Sequence, residues 1–138
     1  MDIDTELLNS ANTVNYFTLN SNVKRALVLD VYDGDTVTLI FKHNNEMNKW
    51  KVRLLGINSP EIRPRKNVEN RDSIINKAKA SRDYLESLIL NKLIYIHSGE
   101  FDNFGRILAY LYLDKDKIGN INESVNMLMI TSGHAVEY

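Results

Sequence analysis

The sequence has 138 residues, 43% of them hydrophobic and 25% charged, which indicates one ordinary globular domain and excludes a disordered or fibrous chain. Seventeen Lys and Arg against eighteen Asp and Glu leave a net charge of −1. This excludes the overall basic charge of many nucleic-acid-binding proteins, so any anion site must be local. Because there is no cysteine, disulfides, thiolate metal sites and cysteine nucleophiles are excluded as well.

Residues 1–22 are predicted to form an N-terminal extension with at most one short helix or strand. The first residues are acidic and lack the positive region and apolar run of a secretory signal. No apolar stretch in the sequence is long enough to cross a bilayer. We therefore expect a soluble, intracellular protein with no membrane partner.

Three strands joined by short turns are predicted next, at 23–31, 37–41 and 50–55. Apolar residues lie on both faces of the first strand, which is typical of a closed or sandwiched sheet. A polar stretch at 42–48 is predicted to be the second turn. The first turn contains Asp-Gly between alternating apolar residues, the strongest short-range hairpin signal, so taken alone Asp35 is a structural turn residue.

The second half of the chain begins with a loop at 56–72, whose two prolines cannot donate to a sheet ladder. Beyond it the hydrophobic period changes to that of a helix. The elements predicted there are a helix at 73–89 capped by Asp72 and stopped at Asn91, strands at 93–97 and 106–113, and a helix at 124–132 stopped at Gly133. The order βββαββα is that of a five-stranded OB-fold, an all-β barrel with helices, here spanning 23–138.

Four motifs stand out along this predicted barrel. They are Asp-Gly-Asp-Thr-Val at 33–37, Arg-Leu-Leu-Gly-Ile-Asn-Ser-Pro-Glu at 53–61, Asp-Asn-Phe-Gly-Arg at 102–106, and the stretch 125–135, which opens with Val-Asn and closes with Gly-His-Ala. In this order they resemble the motifs of the staphylococcal nuclease-like (thermonuclease-like) family. Any one motif is weak evidence, but four in sequence on matching elements are specific. The resemblance implies an OB barrel that hydrolyses DNA and RNA with calcium and leaves 3′-phosphates.

The resemblance assigns catalytic roles to Arg53, Arg106 and Glu61. The two arginines would clamp the scissile phosphate, because a planar guanidinium matches phosphate oxygens in a bidentate way. Glu61 would activate the attacking water as a general base. Without the motifs, each arginine is more readily interpreted as a surface residue whose stem covers the barrel, and Glu61 as a solvated loop acid or a partner of Arg63 or Arg65.

The resemblance also implies a calcium site formed by Asp35, Asn58 and the backbone carbonyl of Ser59. Calcium prefers oxygen ligands, and all three supply oxygen. Asn58 stands where the best-known member of the family has an aspartate. Since the site then has one negative charge fewer, we expect weaker calcium binding.

Two aromatic residues are further candidates for substrate binding. Phe104 stands where a relative has a tyrosine, so a ring for stacking remains without the hydroxyl. Tyr138 falls near an aromatic residue that relatives place beside the base. The predicted function is a calcium-dependent nuclease for DNA or RNA with low sequence specificity, acting as a monomer. The alternative is a catalytically weak or inactive OB barrel that binds nucleic acid or a protein partner.

Overall fold

A five-stranded barrel forms the centre of the computed structural model, which describes residues 2–138. Its strands are β1 (Val23–Asp33), β2 (Thr36–His43), β3 (Glu46–Leu54), β5 (Leu93–Phe101) and β6 (Ile107–Tyr112). They close in the order β1-β2-β3-β6-β5. All neighbours are antiparallel except β3 and β6, which are parallel. The mixed barrel confirms the predicted fold class, and closure leaves it without an open sheet edge.

Helices and a small second sheet surround the barrel. The helices are α1 (Ile3–Ser10), α2 (Arg71–Ile89) and α3 (Val125–Thr131), and the small sheet pairs β4 (Ile57–Asn58) with β7 (Val136–Glu137). Two short 3-10 helices, Lys115–Lys117 and Ile121–Glu123, lie between the end of the barrel at Tyr112 and α3. The β4–β7 pair was not predicted, because a two-residue strand is too short to show alternation.

Alternating strand residues fill the barrel interior. In β2, for example, Val37, Leu39 and Phe41 are buried while their neighbours are partly exposed. Helix α2 covers the barrel with one face, formed by Ala78, Ser81, Leu85 and Ile89. The buried serine in this apolar face was not predicted, and it matters for the site described below.

Two element boundaries differ from the predictions. The turn between β2 and β3 is only Asn44-Asn45, both with positive φ (49° and 63°), as a two-residue hairpin requires, so the strands extend further than predicted. The predicted cap of α2, Asp72, is wrong: it lies in the first helical turn, and the N-cap is Asn70, which makes no side-chain capping bond. The predicted left-handed residues after α2 and α3, Asn91 (φ 59°) and Gly133 (φ 81°), are confirmed.

The N-terminal segment contains one short helix and one core residue. Helix α1 buries none of its side chains, whereas Leu19, further along the predicted extension, is 1% exposed and belongs to the barrel core. Phe17 lies edge-on against His43, with ring centroids 5.6 Å apart. The segment is therefore attached to the barrel by its last residues.

The fourth sequence motif has a structural role through Asn126. This residue is 1% exposed, and its amide group donates to the carbonyls of Leu55 and Ala109, at 2.8 and 3.0 Å, and accepts from the N–H of Leu111 at 3.0 Å. Asn126 thus ties α3 to β6 and to the end of β3. No helix within residues 2–138 has the length and apolar character needed to cross a membrane.

Candidate functional site

A cavity of about 510 Å³ lies over the outer face of β1, β2 and β3. It is lined by Asp30, Tyr32, Asp33, Asp35, Thr36, Thr38, Lys51, Arg53, Asn58, Ser59, Glu61 and Arg106. All six residues predicted for catalysis and calcium binding are in this set, although they come from three separate stretches of sequence. Phe104 and Tyr138, the two predicted aromatic residues, are outside it.

Asp35 follows the β1–β2 turn and is 6% exposed. Its Oδ2 accepts a hydrogen bond from the N–H of Ser59 at 2.9 Å, and its Oδ1 accepts one from the hydroxyl of Thr36 at 2.9 Å. The carboxylate therefore joins the turn to the loop after β4, 24 residues away.

Gly34 allows this turn to lie against α2. A Cβ atom built on Gly34 would stand 1.9 Å from Oγ of Ser81 and 2.8 Å from Cβ of Ser59. Ser81 is itself held by a hydrogen bond from its hydroxyl to the carbonyl of His134 at 2.8 Å. Only glycine fits at this position, so the close packing of turn, loop and helix determines where Asp35 lies.

The two turn carboxylates have opposite pKa shifts. Burial and the negative charge of Asp35 raise the pKa of Asp33 to about 6. Burial also disfavours ionisation of Asp35, but the N–H of Ser59, Asp33, Arg53 and Thr36 together hold the pKa of Asp35 below its usual value. Asp35 is therefore the more readily ionised of the two carboxylates.

Arg53, at the end of β3, holds the loop that follows it. Its Nη1 donates to the carbonyls of Leu54 and Ile57, both at 3.1 Å, and its Nη2 donates to Oδ1 of Asn58 at 3.2 Å. The same Nη2 lies 3.6 Å from Oδ2 of Asp35. Both terminal nitrogens of this guanidinium are thus already bonded to protein.

Arg106 is held differently, by the short turn that precedes β6. Its Nε donates to Oδ2 of Asp102 at 2.7 Å, while the N–H groups of Phe104 and Arg106 donate to Oδ1 at 2.9 Å. Burial disfavours ionisation of Asp102, yet these donors and the arginine charge hold its pKa below the usual value. Within residues 2–138, the two terminal nitrogens of Arg106 have no hydrogen-bond or ion-pair partner.

Of the three remaining predicted residues, Glu61 lines the cavity, whereas Phe104 and Tyr138 lie outside it beside the two arginines. Glu61 is exposed, and in the described part of the chain it forms no ion pair with Arg63 or Arg65. The ring of Phe104 lies 5.4 Å from Cζ of Arg106, and the ring of Tyr138 lies 5.6 Å from Cζ of Arg53. Each aromatic residue is 84% exposed, so each ring offers a free face beside one of the two arginines.

The predicted calcium ligands match that ion in donor type. Asp35, Asn58 and Ser59 supply carboxylate, amide and carbonyl oxygen, which are the donor types that calcium prefers. No group of three or more His, Cys, Asp or Glu side chains in residues 2–138 is arranged to hold a metal. The three predicted ligands therefore fit calcium but supply only one carboxylate charge. Oδ1 of Asn58 already accepts a hydrogen bond from Arg53.

Several residues in the cavity and next to it were not predicted from the sequence. Asp102, which orients Arg106, lies inside a motif that was quoted only for its arginine and phenylalanine. Lys51 could have been found, because alternation along β3 places it on the same face as Arg53. Tyr32 and Thr38 carried no sequence signal for a site.

Comparison with known proteins gives three results. A sequence model of the family described as staphylococcal nuclease homologue matches residues 51–138, a range that starts after Asp35. The chain is 29% identical over 114 residues to an uncharacterized protein of Methanocaldococcus jannaschii, covering 71% of this chain and 53% of that protein. It is 28% identical over 99 residues to the thermonuclease of Staphylococcus hyicus, covering 70% of this chain and 53% of that protein. The chain thus spans about half the length of the curated relatives it matches.

Proposed function

The chain belongs to the staphylococcal nuclease homologue family, and from this membership we infer that it is a calcium-dependent nuclease. It hydrolyses phosphodiester bonds of DNA or RNA with low sequence specificity and leaves 3′-phosphates. Residues 23–138 form the nuclease domain, residues 1–22 an extension, and the chain acts as a monomer. The observation that carries the proposal is the single cavity lined by two arginines, a glutamate and three calcium-type oxygen ligands.

The two arginines neutralise the phosphate. A phosphodiester repels nucleophiles by its own negative charge, and further charge develops on its oxygens during transfer. Arg106 donates its two free terminal nitrogens to these oxygens, in the fork geometry that guanidinium provides. Arg53 adds positive charge at the other side while keeping the loop in place.

Glu61 removes the proton from the attacking water. Its exposed position on the loop keeps it in contact with bulk water, so the proton can pass to solvent after transfer. The water oxygen bonds to phosphorus, the bond from phosphorus to the 5′ oxygen breaks, and the leaving oxygen takes a proton from solvent. Calcium, when held by Asp35, Asn58 and Ser59, supplies positive charge beside the phosphate oxygens.

The test is incubation of the full chain with single-stranded DNA and RNA, first with calcium and then with chelator. We expect calcium-dependent cleavage that falls by about 10²- to 10⁴-fold in Glu61→Gln, the usual contribution of a general base. Glu69→Gln is the matched control, because Glu69 is an exposed glutamate of the same loop outside the cavity. Absence of cleavage with every metal would sink the nuclease proposal, and undiminished cleavage by Glu61→Gln would remove Glu61 from its role.

A binding module is the second candidate function, and the position of Asn58 favours it. Its amide oxygen is bonded to Arg53, and Asp35 is the only carboxylate among the three predicted ligands. A weak calcium site would leave a barrel that binds nucleic acid without cutting it. Binding of oligonucleotides in chelator, with no cleavage at millimolar calcium, would identify this case.

A further inference from the structure

The cavity extends beyond the residues of the proposed nuclease site. Four lining residues have no role in the proposed reaction: Asp30, Tyr32, Thr38 and Lys51. We call the part of the cavity that they line its far part. Strand pairing places three of them in one row, since Asp30 pairs with Thr38 and Thr38 pairs with Lys51. The adjacent row contains Thr36 paired with Arg53. The far part is thus the next row of the same barrel surface.

Lys51 is positioned to bind a second phosphate. It lies two residues before Arg53 on β3, and Val52 between them points into the core with 0% exposure, so both cations face outward. Their Cα atoms are separated by about 6–7 Å, twice the rise per strand residue, which is similar to the spacing of neighbouring phosphates along a polynucleotide. Lys51 is exposed and forms no ion pair within residues 2–138.

Tyr32 provides an aromatic surface in the same cavity, on β1, with β2 between it and Lys51. The pairing of β1 with β2 is irregular between Val31 and Asp33, which leaves Tyr32 as the extra residue of β1. Val31 is buried, whereas Tyr32 is 50% exposed and lines the cavity. Its ring stacks on no other ring in the described part of the chain. A free ring and an unpaired lysine that line one cavity are the combination that binds single-stranded nucleic acid.

We propose that Lys51 and Tyr32 form a second nucleotide subsite, in which Lys51 binds the phosphate next to the scissile one and Tyr32 stacks on a base. The proposal rests on the proposed function, since it takes the scissile phosphate to lie between Arg53 and Arg106. The substrate strand then crosses the outer face of β3, β2 and β1, which includes the β2–β3 face on which OB barrels commonly bind oligonucleotides. Asp30, at the end of the row, repels a further phosphate and limits the subsite to one nucleotide.

The first test combines a protein change with a substrate change. Single-stranded oligonucleotides carry one uncharged methylphosphonate linkage, scanned over the positions on both sides of the cleaved bond. In the native chain, we expect a neutral linkage next to the cleaved bond on one side to raise KM about two- to fivefold, the effect of one exposed ion pair. Lys51→Gln should raise KM for the fully charged substrate by the same factor and leave kcat unchanged. In this variant, introducing that neutral linkage into the substrate should cause no further rise in KM.

Lys49→Gln is the matched control, because Lys49 is exposed on the same face of β3 but outside the cavity. An equal rise in KM for Lys49→Gln would mean that the lysines attract nucleic acid only through general charge, which overturns the subsite. Additive losses from Lys51→Gln and the neutral linkage would overturn it too. For the ring, Tyr32→Phe should retain native KM and Tyr32→Leu should raise it; equal values for the two variants would remove Tyr32 from the subsite.

The second test measures binding without cleavage, by fluorescence anisotropy of a labelled single-stranded oligonucleotide in chelator. Lys51→Gln should reduce the slope of log K against log salt by about 0.7, the loss of one phosphate contact on a single strand. A native slope in Lys51→Gln, with cleavage intact, overturns the subsite and leaves the nuclease proposal standing. A reduced slope in a chain that cleaves nothing has the opposite meaning: the subsite stands and the nuclease proposal fails.

Discussion

The two arginines of the cavity belong to regions that are built in different ways. Arg53, with its side chain 17% exposed, has both terminal nitrogens bonded to Leu54, Ile57 and Asn58. Arg106, with its side chain 26% exposed, uses only Nε, on Asp102 four residues away. The first region is held by contacts between distant stretches of sequence, and the second by a local turn.

The two tasks are holding the loop in place and offering free donors to a ligand. The sequence motifs treat both arginines alike, but the structure divides these tasks between Arg53 and Arg106. The Arg53 region, which includes Asp35 and Ser59, is held together by the same bonds that position the loop. The Arg106 region keeps its terminal donors free for a ligand. We therefore expect changes at Arg53 to affect both stability and activity, and changes at Arg106 to affect activity more than stability.

The largest effect is expected for Arg106→Lys. The charge remains, but the two-nitrogen fork is lost, so kcat should fall about 10²- to 10³-fold, as for removal of one donor to the developing charge. Steady-state cleavage of single-stranded DNA measures this, and the urea midpoint should fall less than in Arg53→Lys, because the one side-chain hydrogen bond lost is that from Nε to Asp102. Arg82→Lys, on α2 outside the cavity, is the control. Turnover close to native would refute the clamp assigned to Arg106.

Arg53→Lys should be the variant that loses stability. The carbonyls of Leu54 and Ile57 lose their donor, and Asp35 loses the fixed guanidinium beside it. We expect the free energy of unfolding to fall by about 1–3 kcal/mol, the cost of leaving such groups unsatisfied. Urea denaturation measures it. If Arg106→Lys is destabilised to the same extent, the contrast between the two regions is wrong.

Asn58→Asp tests the predicted calcium ligands in the Arg53 region. A second carboxylate restores the ligand charge, so the calcium concentration for half-maximal binding should fall on the order of tenfold. Isothermal titration with calcium measures the change, and Asn58→Ala, which removes the oxygen, should weaken binding. Unchanged affinity in Asn58→Asp would mean that this side chain is not a ligand.

The smallest effect is expected for Asp102→Asn, and it depends on pH. The folded protein holds the pKa of Asp102 below the ordinary value of 3.8, so the carboxylate contributes stability above pH 3.8 and loses it as the pH falls through the lowered pKa. The melting temperatures of native and variant chains should therefore differ at neutral pH and converge in acid. Asp116→Asn, an exposed aspartate, is the control. A difference that persists in acid would point to a cause other than this carboxylate's charge.

Much of the fold was predictable because its signals are local. Alternating burial in β2, the change to a helical period before α2, and Gly133 after α3 each depend on residues within one element. Boundaries were less accurate where pairing decides them: the Asn44-Asn45 turn is short because β2 and β3 pair as far as His43 and Glu46. The β4–β7 pair and the burial of Leu19 involve contacts across long stretches of sequence, which no local pattern encodes.

For the site, the sequence by itself determined which residues are candidates and in which order they occur. The resemblance of four short motifs to one family was sufficient to select Asp35, Arg53, Glu61 and Arg106, since such motifs are properties of short stretches of sequence. Only the tertiary structure decided how they are used. Closure of the barrel brings β3 beside β6, so the two arginines share one cavity, and the loop bonds to Arg53 leave Arg106 as the arginine with free terminal donors. Hydrogen bonds and burial depend on neighbours in space, and those neighbours exist only once the chain has folded.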